Sequence, residues 1–238
     1  MNENNVEIIY ENNDIIVVDK PAGLMVHGIA GKVSAEPTLT DVLLKKYPEI
    51  KTVGDEPNMR PGIVHRLDKD TSGVMVVARN QASFEYLKSL FKTRDIKKTY
   101  VAVVLGVPKE KQGIIDRPIG IRSGTTKRSV ESKKMAKPAV TEYEVLKIAE
   151  AEDGLGKEHS FAMLSVSPKT GRTHQIRVHL TSIGHPVVGD AVYGPKKQPP
   201  WASRLMLHAA SIEFTDASGS RLRFDAEVPQ EFERIFKE

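Results

Sequence analysis

The chain contains no cysteine. Its absence excludes disulfides, thiolate catalysis and cysteine-ligated metal, and it suits a reducing cytoplasm, where the protein is expected to reside. No apolar run reaches membrane-spanning length. The first residues, MNENNVEIIYENND, are polar and acidic where a secretory signal would be basic and then apolar. Neither export nor membrane association is expected. Linkers rich in proline or serine and internal repeats are also missing, so one domain over residues 1–238 is the simplest organisation.

What is present fits a globular protein. A chain of 238 residues, 39% hydrophobic and 28% charged, can bury a substantial core. The net charge of +4 permits a polyanionic partner without demanding one. Its distribution is more telling. From Lys109 to Lys137, the cations Lys109, Lys111, Arg117, Arg122, Lys127, Arg128, Lys133, Lys134 and Lys137 meet only Glu110, Asp116 and Glu131. Such a run is most often a solvated loop, and beside an active site it would serve phosphate contacts.

The stretch from Pro61 to Asn80, PGIVHRLDKDTSGVMVVARN, carries the densest pattern. Short apolar runs, Ile63-Val64 and Val74 to Ala78, flank a polar turn of Lys69, Asp70, Thr71, Ser72 and Gly73, which predicts strand, turn, strand. Asp68 falls where the first strand enters the turn, among His65, Arg66 and Lys69. A carboxylate among cations stays ionised and can attack carbon or accept a proton. The same residue types also serve a turn for conformational reasons alone.

HRLDKDTSG followed by an apolar strand resembles the active-site motif of the RluA-type pseudouridine synthases. Three more stretches resemble that family's motifs in the same order: Asp19 to His27 (DKPAGLMVH), Lys97 to Gly106 (KKTYVAVVLG) and Thr170 to Leu180 (TGRTHQIRVHL). The resemblance runs from about Val6 to Pro229, with one departure, Gly28 where the family usually has proline after the histidine. It implies an α+β fold: a single catalytic domain with a mixed, largely antiparallel sheet, flanking helices and a central cleft.

The implied reaction breaks the N1 glycosidic bond of uridine, turns the freed uracil and rejoins it through C5, with no cofactor or metal. Asp68 would act on the ribose or uracil, or remove a ribose proton to give a glycal. Tyr100 would pack against the base, and Arg177 would pair with Asp68. The expected substrate is structured RNA, ribosomal or transfer, and the expected state is a monomer. Arg66 would fill the space left by the extruded base. Lys98, Lys127 and Arg128 would grip phosphates, as would Arg172 and His174 at a helix entrance. The small RNA-binding domain that many relatives carry first would have no room before the initial strand.

Elsewhere Val6–Tyr10 and Ile15–Asp19 read as a hairpin, and Thr38 or Thr40 caps a short helix that ends at Pro48. Asn80 caps a helix with Phe84, Leu87, Leu90 and Phe91 on its core face. Lys97–Leu105, Ala139–Ile148, Phe161–Pro168, Leu205–Phe214 and Leu222–Ala226 read as strands, with an acidic loop from Glu150 to Glu158. Thr173 is expected to cap a helix through Ile183, its buried stripe being Ile176, Leu180 and Ile183, and a last helix lies near Phe232–Phe236. Trp201 is either a loop anchor or an RNA contact.

Other functions fit less well. His174 and His179 stand five apart, off one helical face, where a zinc helix wants four with an intervening glutamate. GIAGKVS lacks the spacing and the hydroxyl of a phosphate-binding loop. The remaining alternative is an RNA-binding module of the same fold without catalysis, which would tolerate Asp68→Asn.

Overall fold

Ile15–Val18 and Val74–Ala78 are continuous apolar runs, as expected of strands covered on both faces. In the computed structural model all these residues are buried. The structure describes residues 6–28, 36–152 and 157–236.

In chain order, β1 (Glu7–Glu11) and β2 (Ile15–Lys20) form a hairpin, followed by α1 (Leu39–Lys46) and a 3-10 turn (Pro48–Thr52). Then come β3 (Ser72–Ala78), α2 (Gln81–Thr93), β4 (Lys97–Leu105), β5 (Gln112–Asp116) and the two-residue strands β6 (Gly120–Ile121) and β7 (Arg128–Ser129). The long strands β8 (Val140–Glu152) and β9 (Glu158–Pro168) lead to α3 (Gln175–Ser182), β10 (Leu207–Thr215), β11 (Arg221–Asp225) and the short α4 (Gln230–Glu233). The architecture is α+β, with a mixed, mostly antiparallel sheet. The chain folds as two compact units, one reaching Lys98 and including Ala209–Glu227, the other holding Thr99–His208 and the stretch from Val228.

In the first unit β1, β2 and β3 form an antiparallel meander, and β3 neighbours β10, which pairs with β11. Asn12 closes the β1–β2 turn by accepting the amides of Asp14 and Ile15 through its side chain. Thr38 caps α1 in a reciprocal box with Asp41, a contribution of about 1 kcal/mol. Asn80 caps α2 through Ser83 N. Phe84 and Leu87 of α2 are buried, whereas Leu90 and Phe91 are only half-buried.

The second unit is built on the antiparallel order β4-β9-β8-β5, with β6 and β7 paired separately. Val101–Val104 and Phe161–Leu164 form its buried floor. The basic segment makes short strands about a turn.

Three local expectations are corrected. Ile63 and Val64 do not form a strand. Ile63 makes a lone bridge to Val77, because Gly62 before it takes a positive φ of 70° that breaks an extended run. Helix α3 starts after His174, itself left-handed at φ 57°, and Thr173 does not cap it. Its burial is not a stripe, since every residue from Gln175 to Leu180 is buried. The acidic loop is shorter than expected, with strand up to Glu152 and again from Glu158. The rest of that loop, residues 153–156, and the Gly31-Lys32 pair lie outside the described residues.

Gly73 shows why the central motif ends in glycine. It sits at φ 118°, and an added Cβ would fall inside contact distance of the Ala209 backbone. Gly73→Ala is therefore expected to cost about 3 kcal/mol or more. Urea unfolding of the variant against the parent measures it, and a loss below about 1 kcal/mol would contradict the packing described.

Candidate active site

Asp68 opens a turn in which its carbonyl accepts Thr71 N at 3.2 Å. The turn is held from below by Lys20, which is fully buried. Lys20 Nζ donates to Pro21 O at 2.7 Å, Leu24 O at 2.8 Å and Lys69 O at 3.0 Å, so three carbonyls meet the three donors of one ammonium. Gly23 N adds a bond to the same Lys69 carbonyl at 2.9 Å. The DKPAG stretch thus fixes the backbone that carries Asp68. Asp68 itself is half-buried.

Two neighbours of Asp68 have partners that the motif does not contain. His65 is not a cation beside the carboxylate. Its ring stacks on Phe91 at 4.6 Å and its Nε2 accepts Val76 N at 3.1 Å. Burial, with a smaller push from Lys98, lowers its pKa to about 3. Arg66 is exposed, and its Nη1 lies 3.2 Å from His27 Nε2. His27 Nδ1 donates to Gly28 O at 2.7 Å, so Nε2 is the unprotonated nitrogen facing Arg66. Burial lowers the His27 pKa, and Arg66 adds to it, both against the Gly28 carbonyl, which keeps the ring in this neutral acceptor form.

Lys98 is also turned inward. Its ammonium lies 5.9 Å from the Phe91 ring centre, and burial lowers its pKa.

In the second unit, Arg177 on α3 forms a two-pronged pair with Asp190, Nε to Oδ2 at 2.7 Å and Nη2 to Oδ1 at 2.8 Å. Both residues are buried, at 6% and 1% exposure, so this is no surface pair. Asp190 Oδ1 also accepts Val192 N at 2.9 Å and Tyr193 N at 3.0 Å. Burial alone would raise the Asp190 pKa, but the Arg177 bonds and charge and the two amides outweigh it and hold the carboxyl below its usual range. The Tyr193 ring lies 5.2 Å from the Arg177 guanidinium carbon.

Helix α3 is tied to β8 by the polar residues of its own motif. Gln175 Nε2 donates to Val140 O and Thr141 Oγ1, while its Oε1 accepts from Thr170 and from Arg172 N. His179 donates from Nε2 to Arg117 O at 2.9 Å and takes the Thr141 hydroxyl on Nδ1 at 2.8 Å. His174 Nδ1 is 2.8 Å from the Tyr193 hydroxyl. Both histidines are thus engaged in structure. Among the described residues no group of three or more His, Asp or Glu is arranged to hold a metal.

The remaining expected residues fall as follows. Tyr100 is half-buried on β4 opposite Val166 of β9. Arg128 is half-buried on β7, and its backbone N donates to the Tyr193 hydroxyl at 2.9 Å. Lys127 is exposed, with Nζ 3.4 Å from Val192 O. Arg172 Nε donates to Pro138 O at 3.2 Å. Tyr193 therefore gathers Arg177, His174 and Arg128 around one ring. Asp68, Arg66 and Lys98 belong to the first unit, and Tyr100 and Arg177 to the second. Asp190, Tyr193 and Lys20 are the contributors that motif reading missed. The only signal for Asp190 was an acid between glycine and small residues in VVGDAVYG.

An α+β fold with these motif positions and a basic flank is the framework of an RNA-modifying isomerase. Residues 14–182 match the family described as RNA pseudouridylate synthase, and the chain belongs to that family. An uncharacterized RNA pseudouridine synthase of Aquifex aeolicus (strain VF5) is 40% identical over 239 residues, covering 97% of this chain and 72% of that protein. Ribosomal large subunit pseudouridine synthase D of Pseudomonas aeruginosa is 39% identical over 240 residues, covering 95% and 69%. Among solved structures, human RNA Pseudouridylate Synthase Domain Containing 1 superposes with a TM-score of 0.76 at 28% identity, covering 94% of this chain and 83% of that one. Domain Containing 4 of the same human series gives 0.70 at 28%, covering 95% and 90%. The chain is an isomerase acting on RNA.

Two outcomes follow from this geometry. Arg177→Met should cost about 3–5 kcal/mol because it strands a buried carboxylate, and the double variant Arg177→Met with Asp190→Leu should recover most of that. Denaturant unfolding of the two, with Asp190→Leu alone, closes the cycle; additive losses would mean that the pair is not coupled.

For His65 the folded pKa lies below the ordinary 6.5, so unfolding takes up a proton in acid. Its contribution is complete above about pH 6.5 and is lost as pH falls toward 3. His65→Gln keeps an acceptor for Val76 N and should flatten the acid decline of stability by up to about 1.4 kcal/mol per pH unit. Unfolding free energies from pH 6.5 to 4 report it, and parallel declines in both proteins would refute it.

Proposed function

We propose that this enzyme converts specific uridines of large-subunit ribosomal RNA to pseudouridine, with Asp68 as the acting carboxylate. What supports the reading is the placement of two motif residues by buried partners of opposite charge character. Lys20 fixes the turn that Asp68 opens, and Asp190 fixes the plane of Arg177. Both devices hold a motif residue in position. The target follows from the relatives named for the ribosomal large subunit.

In this reading the two units work as one catalytic domain, and the family match over residues 14–182 runs through both. Asp190 takes the Nε and Nη2 edge of Arg177. The N1–C1′ bond breaks with Asp68 acting on ribose, on uracil or as base toward a glycal. Tyr100 supports the loosened ring while it turns. The C5–C1′ bond then forms, C5 gives up its proton and N1 gains one. Composition is unchanged, so no redox or energy carrier is required.

Extruding the target from its stack costs roughly a few kcal/mol, least in a loop or bulge, which makes such a site the expected substrate. Arg66, steadied by the neutral His27 ring, enters the vacated space. Lys98, Lys127, Arg128, Arg172 and His174 are assigned to phosphates.

Replacing Asp68 by Asn should lower turnover by about a thousandfold or more while the protein remains folded. Pseudouridine mapping across total RNA, in cells lacking the protein and in cells resupplied with either form, is the test. One or a few large-subunit positions should vanish and return only with Asp68. Full restoration by the Asn form, or an unchanged large-subunit pattern, would end the proposal.

A further inference from the structure

The basic segment does not simply trail in solvent. With α3 and the stretch around Tyr193 it walls a hollow of about 760 Å³, lined by Arg122, Lys127, Arg128, Ser129, Thr181 and Tyr193 among others. That volume is in the range of clefts that hold small ligands. Three of these residues are cations. Glu131, also in the lining, is engaged by Arg117 at 2.9 Å, which offsets its charge. The hollow therefore favours an anion.

Two buried atoms make the preference specific. Arg128 Nε and Thr181 Oγ1 are shielded from solvent and have no hydrogen-bond partner among the described residues. Buried polar atoms are nearly always paired, and leaving one unmet carries a cost. Both belong to residues lining the same hollow. One is a cationic N–H and the other a hydroxyl that can donate, and a phosphate oxygen satisfies both once the side chains that shield them turn aside. The seat is also held in place, because Tyr193 takes Arg128 N on its hydroxyl and stacks against Arg177.

We infer that this hollow is a seat for a backbone phosphate of the RNA substrate at a nucleotide other than the one isomerised, with Arg128 Nε and Thr181 Oγ1 as its partners. The inference rests on the proposed function for its ligand, RNA, and on the two unmet atoms for its location. A seat of this kind sets the register of the RNA before any base is extruded.

The test uses the full chain and a protein-free transcript of large-subunit ribosomal RNA, with dissociation constants measured by filter binding over a range of salt. Thr181→Val removes the hydroxyl at constant shape. Arg128→Lys keeps the charge and removes the guanidinium N–H. Each should weaken binding about fivefold or more, with the salt slope nearly unchanged because no charge is lost. Thr181→Val should not lower the melting temperature, since its hydroxyl has no partner to lose. If Arg128→Lys does not fold, Thr181→Val decides alone.

Parent-like affinity in both variants would overturn the seat and reduce the basic segment to diffuse attraction. So would inorganic phosphate that binds the parent and is lost from the variants while RNA affinity stays the same. A parent that binds the transcript tightly but forms no pseudouridine anywhere would instead sink the functional reading, leaving the seat to be judged on the binding data.

Discussion

A guanidinium and a carboxylate removed from water, Arg177 and Asp190, are joined by two short bonds inside the second unit. Desolvating two charges costs several kcal/mol each, and their mutual attraction rarely does much better than break even with a well-packed apolar pair. Stability is therefore a poor reason for them to be there. Position is a better one. A two-pronged fork fixes the plane of a guanidinium as no single bond can, and the Asp190 carboxylate is itself held by Val192 N and Tyr193 N. The arginine is thus oriented by backbone as much as by charge.

The first unit meets the same demand with the charges reversed. Lys20 is a buried ammonium whose partners are carbonyls and not an acid. Its three bonds draw the Lys20–Leu24 stretch and the Asp68 turn onto one point. Gly73 closes the other end of that turn against β10, where a side chain has no room. A loop held at both ends in this way positions the Asp68 backbone. The polar groups of α3 act likewise. Gln175 and His179 face inward to β8, so a helix with little apolar character is nevertheless buried around most of its girth.

Strands were legible because their cause is local. β-branched runs such as KKTYVAVVL and SGVMVVA state their burial in the sequence, and Thr38 and Asn80 mark helix starts by side-chain chemistry within a turn. Asp68, Tyr100 and Arg177 were named by motif, and the structure adds what motif spacing does not contain. Asp190 is thirteen residues beyond Arg177, across the end of a helix and a bend, and nothing in its neighbours distinguishes it from a surface acid. The amphipathic reading of α3 failed for a related reason. It took only the apolar residues as buried, whereas Gln175 and His179 find buried partners in the β8 backbone and Thr141. Ile63-Val64 failed as a strand because one glycine's positive φ outweighs two β-formers.

Charge in the HRLDK stretch is likewise set by packing and not by composition. Read as letters, His65, Arg66 and Lys69 surround Asp68 with cations. Folded, His65 is neutral against Phe91, Arg66 leans on a neutral His27, and Lys69 pairs with Glu36 at 3.0 Å. Each local cation is thereby neutralised, supported or engaged. A carboxylate that must meet an incoming polyanion cannot rely on mobile surface lysines, which phosphates would recruit. A guanidinium buried on its own carboxylate is out of reach of that competition. In the second unit Arg177, held by both oxygens of Asp190, has that protection, which Lys69 on the exposed Glu36 does not.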